Sequence, residues 1–387
     1  LHGRRILWIA AEDWFFRLHY LDLVRALTAA GAEVHLAARL GRRGPAARAT
    51  VEAAGITVHP LRSLDRTGLN PWTDLAAVRE LTGLCRTLAP DLVQTLAIKP
   101  VIYGTLAARR AGIAARCAWM PGMGHAFTAT SLRARLLRRV VSGLLRSALG
   151  DGGTRCMVLN GADREVMARI AGLPADRVEV MPGTGVDLAR FPAHPPPDGP
   201  PKAVFTGRMI AEKGLVDLVE AARLLAAEGR SVPIELVGAP DPENRTTVSE
   251  AQLQAWSAEG LVTWRGPTDD VAGVWREAAI AVLPSYREGL SVSLLEAASC
   301  ARPAVATDVP GSREAVVDGE TGLLVPARDP RALADALARL AADPATRAAM
   351  GRRARARVER HFALPAVQRR LIALYADVLA TARAMPR

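Results

Sequence analysis

The chain has 387 residues, 50% hydrophobic and 23% charged, with a formal charge of +11 at neutral pH. At roughly 150 residues per domain this length predicts two domains, and the composition excludes a disordered or fibrous chain. No run approaches the roughly 20 apolar residues of a membrane-spanning helix, and the opening residues lack the basic, apolar, small-residue order of a secretory signal. The cysteines Cys85, Cys117, Cys156 and Cys300 show no metal-ligand spacing, so the expectation is a cytoplasmic protein with buried thiols and no metal site.

Short apolar strands alternate with helical stretches from end to end. In the first half the pattern predicts strands at 5–10, 34–38, 56–61, 92–96, 116–120, 155–159 and 178–181. The segment SLRARLLRRVVSGLLRSA, 131–148, reads as a helix with Leu132, Leu136 and Val140 on one stripe and Leu137, Val141 and Leu144 on another. Its five cations, Arg133, Arg135, Arg138, Arg139 and Arg146, have no acid among them. This fits a helix lying in a bilayer interface, and equally a domain-packing helix with a basic outer face. The proline-rich FPAHPPPDGPP, 191–201, continues neither sheet nor helix. The alternation restarts with strands at 203–206, 234–237, 262–264, 280–283, 304–306 and 322–325, and 364–383 reads as one long helix.

Strands separated by helices of this length form βαβ units and parallel sheets. The expected class is α/β, with two Rossmann-like domains facing across a cleft. An N-terminal domain takes 1–190, a Pro-rich linker 191–201, a second domain 202–363, and a terminal helix, 364–387, crosses back to the first domain. Residues 1–190 hold 26 basic and 15 acidic side chains and the rest 24 of each, so the whole charge excess lies in the first half. Such a half favours an anionic partner (nucleic acid, anionic lipid or a phosphorylated substrate) over a neutral one, unless it is simply a solvated basic surface.

In open parallel sheets, ligands bind beyond the carboxyl ends of the strands, which selects the loops to read. The loop TGRMIAEKG after strand 203–206 has Gly207 for a tight turn and two cations, Arg208 and Lys213, suited to a diphosphate. After strand 280–283 comes PSYREGLSVSLLEAASC, in which a helix starting near Ser291 offers the N–H groups of Leu290, Ser291 and Val292 to an anion. Glu288 stands before that helix start and Glu296 beyond it, with seven residues between. Carboxylates accept paired hydrogen bonds from vicinal hydroxyls. Sugar on both sides of a diphosphate, a nucleotide sugar, is the ligand that fits.

At these residues the sequence resembles the retaining glycosyltransferases of family four, which have the GT-B fold. The family's Gly-Arg and Lys-Gly pairs stand at Gly207-Arg208 and Lys213-Gly214, its Pro-Ser-x-x-Glu-Gly at Pro284 to Gly289, and its Glu-x(7)-Glu at Glu288 and Glu296. The following Gly-x-Pro-x-Val-x-(Ser/Thr) reads Ala301-Arg302-Pro303-Ala304-Val305-Ala306-Thr307, with Ala301 in place of the usual Gly, a departure expected to alter packing rather than chemistry. The resemblance implies that Arg208 and Lys213 bind the donor diphosphate and stabilise the leaving group. It also implies that Glu296 holds the ribose, Glu288 the transferred sugar, and Leu290 and Ser291 the distal phosphate, with Gly289 among the donor-binding residues. The base is expected near Gly266 and Pro267. Family members generally need neither metal nor cofactor, and they retain configuration by attack on the same face.

Three stretches of the first half resemble a subgroup that adds sugars to polyprenyl-diphosphate-linked intermediates in capsule, O-antigen or glycoprotein-glycan assembly. Asp13, Trp14, Phe15, Phe16 and His19 match its first motif, Lys99-Pro100 its second, and Gly122, Gly124 and Phe127 its third. The resemblance implies acceptor contacts at Asp13, His19, Lys99, Gly122, Gly124 and His125. Many members carry a His near the reacting carbon; Pro121 takes that place here, and His125 is the nearest substitute. The implied donor is a UDP-sugar, with an N-acetylhexosamine as the transferred group. The implied location is peripheral, at the cytoplasmic face of the membrane, with the 131–148 helix on the lipid. Two rivals compete with this reading: a nucleotide-sugar epimerase or glucan-synthase-like enzyme on the same scaffold, and a non-catalytic module binding nucleic acid or anionic lipid. No common nucleic-acid motif is present, and the turn after the first strand lacks the glycine-rich loop of a dehydrogenase.

Overall fold

The computed structural model describes residues 1–41, 44–64, 70–122, 132–242 and 244–384. It divides into two compact units, Leu1–Gly185 with Leu364–Arg387, and Val186–Ala363. Unit 1 runs β1 (Arg5–Glu12), α1 (Asp13–His19), α2 (Leu21–Ala29), β2 (Glu33–Arg39), α3 (Gly44–Glu52), β3 (Ile56–Pro60), α4 (Pro71–Leu88) and β4 (Leu92–Leu96). It continues with α5 (Ile98–Arg110), β5 (Ala115–Met120), α6 (Leu132–Leu149), β6 (Thr154–Val158), α7 (Gly161–Ala171) and β7 (Val178–Val180). Unit 2 runs β8 (Ala203–Thr206), α8 (Leu215–Ala227), β9 (Ile234–Val237), α9 (Glu250–Ala258), β10 (Thr263–Gly266), α10 (Val271–Glu277) and β11 (Ile280–Leu283). After it come α11 (Val292–Ser299), β12 (Ala304–Thr307), α12 (Pro310–Ala315), β13 (Gly322–Val325), α13 (Pro330–Ala342) and α14 (Pro344–His361), and α15 (Leu364–Ala384) closes the chain.

Each strand expected from the sequence is present, and every ladder is parallel. The orders are β3-β2-β1-β4-β5-β6-β7 and β10-β9-β8-β11-β12-β13. Both are doubly wound, with the order reversing between β1 and β4 in one unit and between β8 and β11 in the other. These are the crevices where such sheets bind ligands. The central strands are buried because helices cover both faces; β4, LVQTL, is buried along its whole length, Gln94 and Thr95 included. Side-chain caps start the helices, as Asn70 does by accepting from Trp72 N in α4 and Asn160 from Asp163 N in α7.

The terminal helix α15 belongs to unit 1. Val367, Leu371, Leu374, Tyr375 and Val378 recur at helical spacing and are buried, each such side chain worth about 1.5–3 kcal/mol of burial. A buried polar contact helps fix the register: the Tyr375 hydroxyl donates to Gln94 Oε1 at 2.9 Å in the middle of β4.

The proline-rich segment departs from the expected linker. The unit boundary falls before Val186, which bridges to Ala363 and donates to Phe362 O at 2.8 Å. Residues 191–201 are a strap on unit 2 rather than a free hinge. Phe191 is buried and its carbonyl accepts from Ser299 Oγ at 2.6 Å and Arg355 Nη1 at 2.9 Å, while Pro195 O accepts from Arg302 Nη2 at 3.0 Å. Proline loses the donor but keeps the acceptor, so arginines can hold such a strap through its carbonyls.

Ala301, just past the end of α11, has φ +60°. Its departure from Gly therefore acts on the backbone, because a Cβ in the left-handed region costs about 1–2 kcal/mol. Ala301→Gly is expected to stabilise unit 2 by about 1 kcal/mol, less the extra entropy of the unfolded glycine chain. Urea titration checks this, and an unchanged midpoint would show that the strain is relieved elsewhere.

Candidate active site

The carboxyl edge of unit 2 gathers its chemistry at the β8/β11 reversal. After β8 the chain turns at Gly207, makes one 3₁₀ turn at Ala211–Lys213, and enters α8 through Gly214 at φ +73°. A side chain at Gly214 would overlap the Pro284 carbonyl, so the glycine lets this loop lie against the one after β11. Tyr286 N donates to Glu212 O at 2.9 Å, so the two loops form one frame, and Thr307 Oγ1 at the end of β12 braces it by bonding Ser285 O.

Inside that frame Lys213 Nζ lies 2.6 Å from Glu288 Oε1. Arg208 Nη1 lies 2.7 Å from Asp241 Oδ2, with half of its side chain, 52%, exposed. Each predicted cation is thus held by a carboxylate. Ser291 caps α11, accepting from Leu294 N at 3.3 Å, and the helix start leaves its first N–H groups directed outward beside Leu290 and Gly289. Gly311 supports Glu288 from behind: any Cβ there would strike the Glu288 carbonyl. Along the sheet edge Gly207 N donates to Val237 O at 3.0 Å, and Gly238 N to Gly266 O at 2.9 Å. Gly266 is therefore on the same rim, with Pro267 next to it.

Glu296 sits one turn inside α11. Burial pushes its carboxyl up to about 7, against the opposing pull of the Trp275 indole N–H and the Arg190 guanidinium. The folded chain therefore binds, between the ordinary value near 4.5 and about 7, a proton that the unfolded chain has released. Stability falls as pH rises through that window. If Glu296 holds the donor ribose, as the resemblance implies, ligand hydroxyls donate to the ionised form, so UDP affinity is expected to rise from about pH 6 to about pH 8. Glu296→Gln should flatten both the melting-temperature and the calorimetric affinity profiles; dependence that survives the substitution would assign the titration to another group.

Several participants escape sequence reading. Asp241 lies 33 residues from Arg208, and Thr246 Oγ1 bonds Glu212 to fix the same loop. Trp275, Arg190 and Arg302 likewise reach the site's surroundings only through the fold. Arg302 is fully buried and donates to Trp275 O at 2.9 Å, Arg276 O at 3.2 Å and Pro195 O at 3.0 Å, which holds the end of α10, and with it Trp275, in place.

In unit 1, Asp13 and Lys99 stand at the β1/β4 reversal. Asp13 is buried, its Oδ1 accepting from Trp14 N at 2.8 Å and Gly41 N at 2.9 Å. His19 packs against Phe15 with ring centroids 4.8 Å apart at a tilt of 57°, while Phe16 is core, packed edge-on to Trp8. Lys99 Nζ is 3.4 Å from Asp74 Oδ1 and is mostly buried, rather than a helix-start cation in solvent. Gly122 follows β5; Gly124 and His125 lie outside the described residues.

Residues 17–184 match the profile of the Glycosyl transferase 4-like domain, and residues 200–343 that of Glycosyl transferases group 1. The chain is 33% identical over 293 residues to the alpha-maltose-1-phosphate synthase of Mycolicibacterium smegmatis, covering 67% of this chain and 74% of that protein. It is 28% identical over 291 residues to the N,N'-diacetylbacillosaminyl-diphospho-undecaprenol alpha-1,3-N-acetylgalactosaminyltransferase of Campylobacter jejuni, covering 72% and 75%. It is 36% identical over 234 residues to the D-inositol 3-phosphate glycosyltransferase of Arthrobacter, where the match spans 56% of this chain and about half, 54%, of the relative. Among solved structures, sucrose-phosphate synthase of Thermosynechococcus elongatus superposes with a TM-score of 0.79 at 22% identity, covering 98% of this chain and 100% of that one. Anabaena HepE in complex with UDP and glucose superposes at 0.77 and 17% identity, covering 97% and 100%. With two parallel Rossmann-like units, the loop frame at β8/β11 and matching profiles in both halves, the chain belongs to the family-four glycosyltransferases of the GT-B fold.

Proposed function

We propose that the protein is a retaining, metal-independent glycosyltransferase that moves an N-acetylhexosamine from a UDP-sugar to a polyprenyl-diphosphate-linked glycan at the cytoplasmic face of the membrane. The observation that carries this reading is the Lys213–Glu288 pair at 2.6 Å beside Arg208 and the start of α11. The donor diphosphate would take over the two cations and the helix amides, and Glu288 would turn to the hydroxyls of the sugar. As the bond from the anomeric carbon to the diphosphate breaks, negative charge grows on the departing oxygen. Fixed cations and amides stabilise it there. The acceptor hydroxyl attacks from the same face, its oxygen bonds the anomeric carbon, and its proton passes to the departing diphosphate. Positive charge from Arg208 and Lys213 does the work a metal does elsewhere, and no cofactor is required.

Support for the acceptor class comes from the Campylobacter relative, whose name states a diphospho-undecaprenol acceptor. Support for the donor comes from Anabaena HepE, solved with UDP and with UDP-glucose. Asp13, His19, Lys99 and Gly122 of unit 1 are assigned to the acceptor. Calorimetry across UDP-, GDP- and ADP-sugars, with Glu296→Ala alongside, tests the donor site: saturable binding of UDP-sugars, lost in the variant, is expected. A folded chain that binds none of them would overturn the reading. Sugar recovered on an undecaprenyl-diphosphate acceptor, rather than as an isomerised donor or a polymer, separates transfer from the two same-scaffold alternatives.

A further inference from the structure

The structure decides which stripe of α6 is core. Val141, Leu145, Ala148 and Leu149 are buried. At about 100° per residue, the face opposite them carries Leu136, Arg139, Val140, Gly143 and Ser147. Leu136 is 64% exposed and Val140 47%. The outward face of this helix therefore shows large apolar side chains to solvent beside its arginines, where an ordinary surface helix is polar. Arg135 and Arg139 are exposed along one flank, and α6 contains no acid.

A second anchor lies on the same layer. Helix α4 packs on α5 and α5 on α6, and each starts at the carboxyl edge of the parallel sheet. The first turn of α4 holds Trp72, 81% exposed, and the exposed Leu75. Their neighbour Asp74 turns inward to Lys99. A solvent-facing Trp and Leu on one helix start, with Leu136 and Val140 beside arginines near the start of another, put exposed apolar and cationic side chains on one edge. Tryptophan suits the bilayer interface, where its ring is buried in part and its N–H stays wet.

We infer that unit 1 docks on an anionic phospholipid bilayer through this edge, inserting Trp72, Leu136 and Val140 between headgroups while Arg135 and Arg139 meet lipid phosphates. Large exposed apolar side chains such as Trp72 and Leu136 favour lipid over nucleic acid, whose backbone is met by cations alone. The edge that would face the bilayer also carries Asp13 and Lys99, so docking would bring a lipid-linked acceptor to the proposed acceptor residues. In this the inference rests on the function proposed above, though the exposed surface does not.

Flotation of the full chain with phosphatidylglycerol vesicles, and with phosphatidylcholine vesicles as control, tests it. Binding to the anionic vesicles is expected to weaken at least about tenfold in Leu136→Ser/Val140→Ser and in Arg135→Ser/Arg139→Ser. Brominated lipid should quench tryptophan fluorescence in the parent and much less in Trp72→Phe. No binding to the anionic vesicles at low salt, or binding that survives both double substitutions, would overturn the proposal; so would a chain that binds duplex DNA and not vesicles. UDP-sugar affinity and transfer to a short water-soluble acceptor are read alongside. A parent chain that transfers sugar to the soluble acceptor without docking counts against this surface alone, and a parent chain that docks without transfer counts against the proposed reaction alone.

Discussion

Lys213→Ala is expected to lower kcat/KM by about 100- to 1000-fold, with most of the loss in kcat. The side chain is the better shielded of the two cations at the β8/β11 reversal, 21% exposed against 52% for Arg208. A charge that solvent screens less acts more strongly on a developing oxyanion. The substitution also leaves Glu288, whose carboxylate is 10% exposed, without its cation, which opposes entry of the diphosphate. Arg208→Ala should cost less and should raise KM more than it lowers kcat, because its charge is screened and shared with Asp241. Steady-state kinetics of UDP release from both variants, with circular dichroism to establish folding, check the order. Equal and small losses would show that the helix amides alone carry the leaving group.

Arg302→Met is expected to destabilise unit 2 by about 3 kcal/mol or more, since hydrogen bonds to a charged group are worth about 1.5–3 kcal/mol each and three carbonyls lose their donor at once. Burial disfavours the charged guanidinium, so the group persists only because the ends of α10 and the strap supply acceptors in a fork that its planar shape matches. Lysine offers no such fork, and Arg302→Lys should recover little. For a unit of this size the loss corresponds to a melting temperature lower by about 10 °C, measured by calorimetry. A shift within the error of the measurement would mean that water replaces the guanidinium. UDP affinity of the surviving folded fraction should also fall, because Trp275 faces Glu296.

The parts of this molecule that were readable in one dimension are those whose physics is local. An apolar run of four to six residues between helical stretches reads as a covered parallel strand, and so the strand positions and the two-unit plan follow from pattern, whereas the docking of α15 on unit 1 rests on contacts made only in the fold. The loops of the candidate site were readable for a related reason: the cation pair Arg208 and Lys213 and the carboxylate pair Glu288 and Glu296 each sit within one loop-and-helix segment, and the carboxyl-edge rule says where such segments point. Distant pairings carry no local signal. Asp241 opposite Arg208, Tyr375 on Gln94, and Arg302 holding Pro195 join residues that come together only after both sheets have formed. The proline run shows the limit most clearly. Composition marks it as a segment outside the sheets, and whether it is a free linker or a strap depends on the arginines that the fold brings to its carbonyls. Likewise, the periodicity of 131–148 allows two apolar stripes. Only packing decides that Val141 and Leu145 face the core while Leu136 and Val140 face outward, because a helix with apolar residues on both sides has no preferred face until a neighbour covers one.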